Sequence, residues 1–244
     1  MLMDFHCHLD LMDNMNSMIS EISDSEISII AVGTAPKAWK KEANLCSGNQ
    51  NIHVACGLHP QLVGERFSEL EMLLEFVPNT RYIGEIGLDF RSDYANYKDK
   101  QVYVFKKVLD VCSAYSSKVL SIHSVRSAGE VLKIIGDSGV SRRNTCILHW
   151  FTGSVQQMRK GADLDCYFSI NPKMLKSKSG IDLISQMPKE RILLETDAPF
   201  TFPVRNIIDY RNRLQEVVSG IHTIREDINE KIISDNSKSI VGVL

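Results

Sequence analysis

Eight times along the chain, a short run rich in β-branched and apolar residues is followed by a longer stretch with helical spacing. That alternation restricts the fold to a parallel sheet covered by helices. The runs lie near Leu2–His6, Ser28–Gly33, Ile52–Gly57, Tyr82–Gly87, Val119–His123, Thr145–His149, Cys166–Ile170 and Ile192–Thr196. Helical spacing is clearest in Gln101–Tyr115, where Val104, Val108, Val111 and Cys112 share one face. Two further helices are expected near Asn206–Ser219 and Arg225–Ser237. With no Pro/Gly/Ser-rich linker, internal repeat or low-complexity tract, eight such units predict one α/β domain over residues 1–244. The expected architecture is a TIM-like (β/α)8 barrel.

Composition narrows the function classes only a little. A formal charge of -2 supplies no global attraction to nucleic acid, so any such contact needs a local basic patch. Cys7, Cys46, Cys56, Cys112, Cys146 and Cys166 form no C-x-x-C pair, and several sit in apolar runs, so buried reduced thiols are expected. The chain opens without a charged and apolar leader and holds no apolar stretch long enough for a bilayer, which predicts a cytoplasmic protein with no membrane partner.

The chemistry is concentrated at strand ends. His6, His8, Glu85, His123, His149 and Asp197 all fall where expected strands finish, and in a barrel those C-terminal ends converge on one face. His6 and His8 are two residues apart and point the same way on a strand, so one ion can take both. The same alternation puts Asp4 on that face one step deeper, either orienting a ligand or serving as a plain buried hydrogen-bonding group. Glu85 stands between Gly84 and Gly87 in Gly84-Glu85-Ile86-Gly87, where a two-oxygen ligand has room to bridge two ions.

His123 and His149 each end an apolar strand and suit a second ion; Asp197 ends Ile192-Leu193-Leu194-Glu195-Thr196-Asp197 and completes the first. Glu195 points inward below Asp197, as a hydrogen-bonded support or as the partner of an interior histidine. His59, in Gly57-Leu58-His59-Pro60, either donates to a phosphate or packs its loop. Imidazole plus carboxylate ligation suits zinc or manganese better than magnesium. Two ions about 3.5–4 Å apart activate water and clamp phosphoryl oxygens, with Asp197 as the expected proton acceptor.

Arg66, Arg91, Arg126, Lys173, Lys176, Lys178 and Arg205 follow strands and therefore lean toward the ligand face; Trp150 or Phe151 could stack a base. The same ion pair would also serve an amidohydrolase acting on a cyclic amide, ester or phosphotriester. A DNA- or partner-binding subunit is the other alternative.

The ordered motifs Met3-Asp4-Phe5-His6-Cys7-His8-Leu9-Asp10, Gly57-Leu58-His59-Pro60, Gly84-Glu85-Ile86-Gly87-Leu88-Asp89, Ser121-Ile122-His123, His149-Trp150-Phe151-Thr152-Gly153 and Glu195-Thr196-Asp197-Ala198-Pro199 resemble the TatD family of metal-dependent deoxyribonucleases. Gln101 and Phe105 repeat the family pattern after strand four. The resemblance implies a TIM barrel, two divalent ions and hydrolysis of DNA, often from the end of a single strand. It assigns His6, His8, Glu85 and Asp197 to one ion, Glu85, His123 and His149 to the other, and His59 to phosphate.

Substrate loops depart from the pattern. Val125 stands where many relatives have arginine, with Arg126 one place later; Pro203-Val204-Arg205 replaces a longer basic stretch; and Ser169-Ile170-Asn171-Pro172-Lys173-Met174 is atypical. Arg126, Lys173 and Arg205 are therefore the expected replacement phosphate contacts. Thr34-Ala35-Pro36-Lys37-Ala38-Trp39, His149-Trp150-Phe151 and Asn171-Pro172-Lys173-Met174-Leu175 resemble the TatD-type component of the bacterial Qat anti-phage cassette, which implies partner proteins from that cassette.

Overall fold

A computed structural model, which describes residues 2–242, places all eight expected strands in one parallel sheet. They are β1 (Leu2–Cys7), β2 (Ile27–Val32), β3 (Ile52–Ala55), β4 (Tyr82–Gly87), β5 (Val119–His123), β6 (Thr145–His149), β7 (Tyr167–Ile170) and β8 (Ile192–Leu194). The strand order is β3-β2-β1-β8-β7-β6-β5-β4. Its two ends meet through a parallel bridge between Cys56 and Ile83, with Cys56 N donating to Tyr82 O at 3.1 Å and Gly84 N to Cys56 O at 2.9 Å. The sheet is thus a TIM barrel without a free edge. Met1, Val243 and Leu244 of the expected 1–244 domain lie outside the described residues.

Alternation along the strands sorts apolar residues into two layers. Ile29, Ile86, Leu120, Leu148, Phe168 and Leu194 pack outward under the helices. Met3, Phe5, Ile30, Val32, Val119, Ile147 and Leu193 form a separate cluster inside the barrel with Ile240 and Val241. Those last two belong to the Glu230–Val241 helix, which closes the lower end; the Arg81 guanidinium donates to both of their carbonyls.

Local chemistry moves several boundaries. The helix expected at Asn206–Ser219 runs Ile207–Ile224, because Asn206 caps it by accepting from Asp209 N. The one expected at Arg225–Ser237 is Glu230–Val241: Arg225 is extended, and Asn229 caps the new start by accepting from Ile232 N. β8 stops at Leu194 because Thr196 N donates to the Asp4 carboxylate at 3.1 Å, and Asp197 turns the chain with φ 49°.

One reading of strand one is corrected. The β1–β2 register passes from Asp4↔Ile29 to Cys7↔Ala31, three steps against two, so β1 carries a bulge that breaks the alternation. Asp4 consequently faces outward, where its carboxylate accepts from Thr196 Oγ1 and Tyr210 OH at 2.5 Å each and from His6 N at 2.9 Å. It braces the backbone carrying His6 rather than sharing a face with the imidazoles.

Candidate metal centre

On β5, β6 and β8 the inward positions change character going up the strand: Val119 to Ser121 to His123, Ile147 to His149, and Leu193 to Glu195. Simple period-two geometry delivers these groups to the mouth. The other two strands need bulges. β4 repeats the irregularity of β1, with Ile83↔Leu120 followed by Ile86↔Ile122, and its extra residue swings Glu85 over the barrel axis. Glu85 N donates to Gly33 O at 2.9 Å, so the top of β4 crosses β3 to reach β2. Gly57 allows that crossing, since a Cβ there would lie 2.2 Å from Gly84 C and 2.3 Å from Glu85 N.

Glu85 is the hub. Its Oε2 lies 3.3 Å from both His6 Nε2 and His8 Nε2. Its Oε1 lies 2.6 Å from His123 Nδ1, 2.9 Å from His149 Nε2 and 3.2 Å from His59 Nε2. Asp197 Oδ1 stands 3.7 Å and 3.6 Å from His6 Nε2 and His8 Nε2. All six predicted ligands are therefore brought together, and all six are buried.

The outer ring nitrogens are held from behind. His6 Nδ1 meets Ser121 Oγ at 2.7 Å, and His123 Nε2 meets Asp89 Oδ2 at 3.1 Å. His149 Nδ1 faces Glu195 Oε2 at 3.8 Å, too long for a hydrogen bond but close enough for charge to matter. Glu195 is itself fixed by the Ser169 hydroxyl and by Asn171 Nδ2 at 2.9 Å. Assigning the protons to the outer nitrogens leaves each inner nitrogen with its lone pair toward Glu85. His59 is wired the other way. Its Nδ1 accepts from Gln61 N at 3.1 Å, so the proton sits on Nε2, which is a donor rather than a ligand.

Electrostatics reflect this crowding. Burial opposes ionisation of Glu85, yet the imidazoles of His59, His149 and His6 and the His123 bond hold its carboxyl well below the usual range. Burial also opposes charging of His149, but Glu85 and Glu195 push it well above the ordinary imidazole value. His6 is lowered strongly by burial and by His149, whose ring stacks on it at 3.7 Å. Burial pushes Asp197 up to about 7, against the lowering pull of His149.

The donor set fits a cation. Glu85 Oε2 is buried without a hydrogen-bond partner, and the Nε2 atoms of His6 and His8 face each other at 3.3 Å. Only a proton or a metal cation relieves such a convergence of lone pairs. His6, His8 and Glu85 form one compact ligand group; His59, Glu85 and His123 form another, and His6, His149 and Glu195 a third. The protonated Nε2 of His59 argues against it as a ligand, whereas His149 Nε2 converges on the same point as His123, 2.9 Å from Glu85 Oε1 and 3.3 Å from His123 Nδ1.

A cavity of about 460 Å³ opens over this cluster, with Arg91 and Gln61 on one side and Trp150 and Phe200 on the other. Of the expected substrate contacts, His59 lines it. Lys173 sits at its rim, with Nζ donating to Phe200 O at 2.9 Å and lying 5.3 Å from the Trp150 ring centre. Arg126 faces a separate depression beside Phe90 and Gly153, and Arg205 is paired with Asp209 at 2.6 Å, so neither lines the cavity. Phe151 is buried against Phe168, which leaves Trp150 as the aromatic that reaches the mouth.

Two residues that the sequence marks only as parts of a motif have working roles here. Asp89 is buried and accepts from Gln61, His123 and Arg91; burial opposes its ionisation, but His123 and Arg91 outweigh it and hold the carboxyl far down. Gln101 Oε1 accepts from Asp89 N at 2.8 Å and sets that backbone. The signal was the position of Asp89 two residues beyond Gly87, with Arg91 two further on.

A closed parallel barrel whose mouth gathers four histidines and Asp197 around one central glutamate is the frame of a metal-dependent hydrolase. The chain matches the family model described as TatD related DNase over residues 3–242, and it belongs to that family of hydrolases acting on ester bonds. It is 29% identical over 215 residues to an uncharacterized metal-dependent hydrolase of Buchnera aphidicola, covering 83% of this chain and 80% of that one. It is 25% identical over 226 residues to deoxyribonuclease TATDN3 of Homo sapiens, covering 84% and 81%. The crystal structure of the TatD homologue YjjV from Escherichia coli shares the fold, with a TM-score of 0.86, 21% identity and coverage of 100% and 98%. The six cysteines are free and buried, and no described helix is long and apolar enough to cross a membrane.

Proposed function

We propose that this protein is a deoxyribonuclease that hydrolyses phosphodiester bonds from an end of single-stranded DNA with two divalent ions. One would be held by His6, His8, Glu85 and Asp197, the other by Glu85, His123 and His149. The observation that carries this reading is the division of Glu85, whose two carboxylate oxygens face two different histidine groups. Bound ions of this kind supply a lowered pKa for attacking water and charge neutralisation at the phosphoryl oxygens. The nitrogen-rich donor set favours zinc or manganese over magnesium.

The chain's own residues do the rest. Asp197, which lines the cavity with Oδ1 3.7 Å and 3.6 Å from His6 Nε2 and His8 Nε2, accepts the proton of the attacking water. His59 offers its Nε2 proton to a phosphate oxygen, and Arg91, clamped on Asp89, presents positive charge at the mouth. Lys173 adds a second cation at the rim; Arg126 and Arg205 could touch only a longer strand running outside the cavity.

The test is manganese- or zinc-loaded protein offered end-labelled single-stranded and duplex DNA, RNA, and a panel of cyclic amides and phosphotriesters. Stepwise shortening of single-stranded DNA is expected. Turnover of the small substrates alone would replace this reading with an amidohydrolase. Assayed at saturating metal, Asp197→Asn should lose about 10²- to 10⁴-fold in kcat; an unchanged rate removes Asp197 from proton transfer. The resemblance to the anti-phage cassette component supports work inside the cytoplasm beside partner proteins, which co-purification from cells expressing the whole cassette would test.

A further inference from the structure

Among the described residues, Phe200 is the one exposed large hydrophobic side chain that lines the cavity, and it is 56% exposed. A singly exposed apolar side chain is ordinary, and Ile208 is more exposed at 66%; what sets Phe200 apart is that its ring lines the cavity beside His8, where a ligand entering the mouth would cover it. Its place is fixed on two sides. The ring stands 5.1 Å from that of His8 and nearly perpendicular to it, and its carbonyl takes the Lys173 ammonium at 2.9 Å. The same ammonium lies 5.3 Å from the centre of Trp150, the second aromatic of the cavity. Trp150 is held with φ 38°, a left-handed conformation costly for a bulky residue and characteristic of side chains aimed for a purpose.

The cavity is therefore two-sided about Glu85. Phe200, Trp150 and Lys173 lie toward His8; Arg91 and Gln61, both donating to the buried Asp89 that also holds His123, lie toward His123. One side offers aromatic faces beside a single cation, the other polar donors and a guanidinium. A small amide or phosphotriester would use neither division. A terminal nucleotide uses both, with its flat base on the aromatic side and the strand's phosphates on the polar side.

We infer that Phe200, supported by Trp150 and Lys173, is a stacking platform for the terminal nucleobase, and that it makes the enzyme select an end bearing a base. This rests on the nuclease reading above. Because stacking accepts any base, the platform selects for the presence of a base and not for its identity.

The experiment compares single-stranded oligonucleotides that end in a normal nucleotide with matched ones that end in an abasic nucleotide, at each terminus in turn, using the metal-loaded full chain. The wild type should prefer the base-bearing end by about tenfold in kcat/KM, mainly through KM. F200A should bring that ratio close to one, and F200W should restore it. The exposure of Phe200 predicts that F200A folds, and an unchanged thermal midpoint with unchanged metal content checks this. A ratio in F200A equal to that of the wild type, or a wild type indifferent to the base, overturns the inference alone. Failure of the wild type to cut either oligonucleotide overturns the nuclease reading and this inference together.

Discussion

The lower and upper halves of the barrel interior are built from the same eight strands, yet they follow opposite rules. Below, Met3, Phe5, Val119, Ile147 and Leu193 pack against one another and against Ile240 and Val241 in an apolar cluster whose members are interchangeable by volume. Above, one or two residues along these strands, the inward groups are polar and are held by specific neighbours: Ser121 by His6, His123 by Asp89, Glu195 by Ser169 and Asn171. The lower half stabilises the fold by burial. The upper half gathers buried charge that only a cation or bound protons can balance, and it is tolerable because the lower half and the helix layer are already close-packed.

That contrast predicts which changes separate stability from activity. The largest effect is expected for Glu85→Gln, which removes the charge between the two histidine groups. Hydrolysis should fall by about 10³-fold or more, on the scale of losing a principal electrostatic group, and elemental analysis should find fewer ions per chain. Retention of both ions and of activity would break the comparison. Gly57→Ala should approach the same loss, because its Cβ would collide with the backbone that carries Glu85.

In the lower half, Phe5→Ala should cost about 3–5 kcal/mol in urea unfolding while the folded fraction keeps its kcat. A loss of kcat without a loss of stability would show that the two halves are not separable at Phe5.

Smaller effects sharpen the upper half. Asp89→Asn should lower metal affinity or activity by about 10- to 100-fold, since the outer partner orients His123 without touching the reacting atoms. Protons compete with cations for Asp197, pushed up to about 7. His149, raised well above the ordinary imidazole value, is a second such site, so manganese affinity should rise by at least about tenfold per pH unit below 7 and keep rising above it, as titrations from pH 5.5 to 8.5 would show. Without metal the sign reverses for stability. A carboxyl whose folded value is raised contributes stability at low pH and loses it as pH climbs from the ordinary carboxylate value through about 7; the raised His149 acts in the same direction. The smallest change is expected for Arg205→Ala, whose guanidinium is already paired with Asp209 on the surface and lies off the cavity; its steady-state rate on a short oligonucleotide should stay within about twofold.

The amino-acid order alone determined the strand–helix alternation, the eight strands, and the six side chains at their ends. Each of these is a local matter: a period of two along β5, β6 and β8 carries Val119, Ile147 and Leu193 into the same interior column as His123, His149 and Glu195. Only the tertiary structure decided the face of Asp4, the reach of Glu85, the tautomer of His59, the roles of Asp89 and Gln101, and the exclusion of Arg126 and Arg205 from the cavity. The bulges in β1 and β4 explain the first two, because an inserted residue reverses the alternation without leaving a mark in composition. The others turn on which neighbour a side chain meets across the mouth, a distance set by barrel closure between residues far apart in the chain.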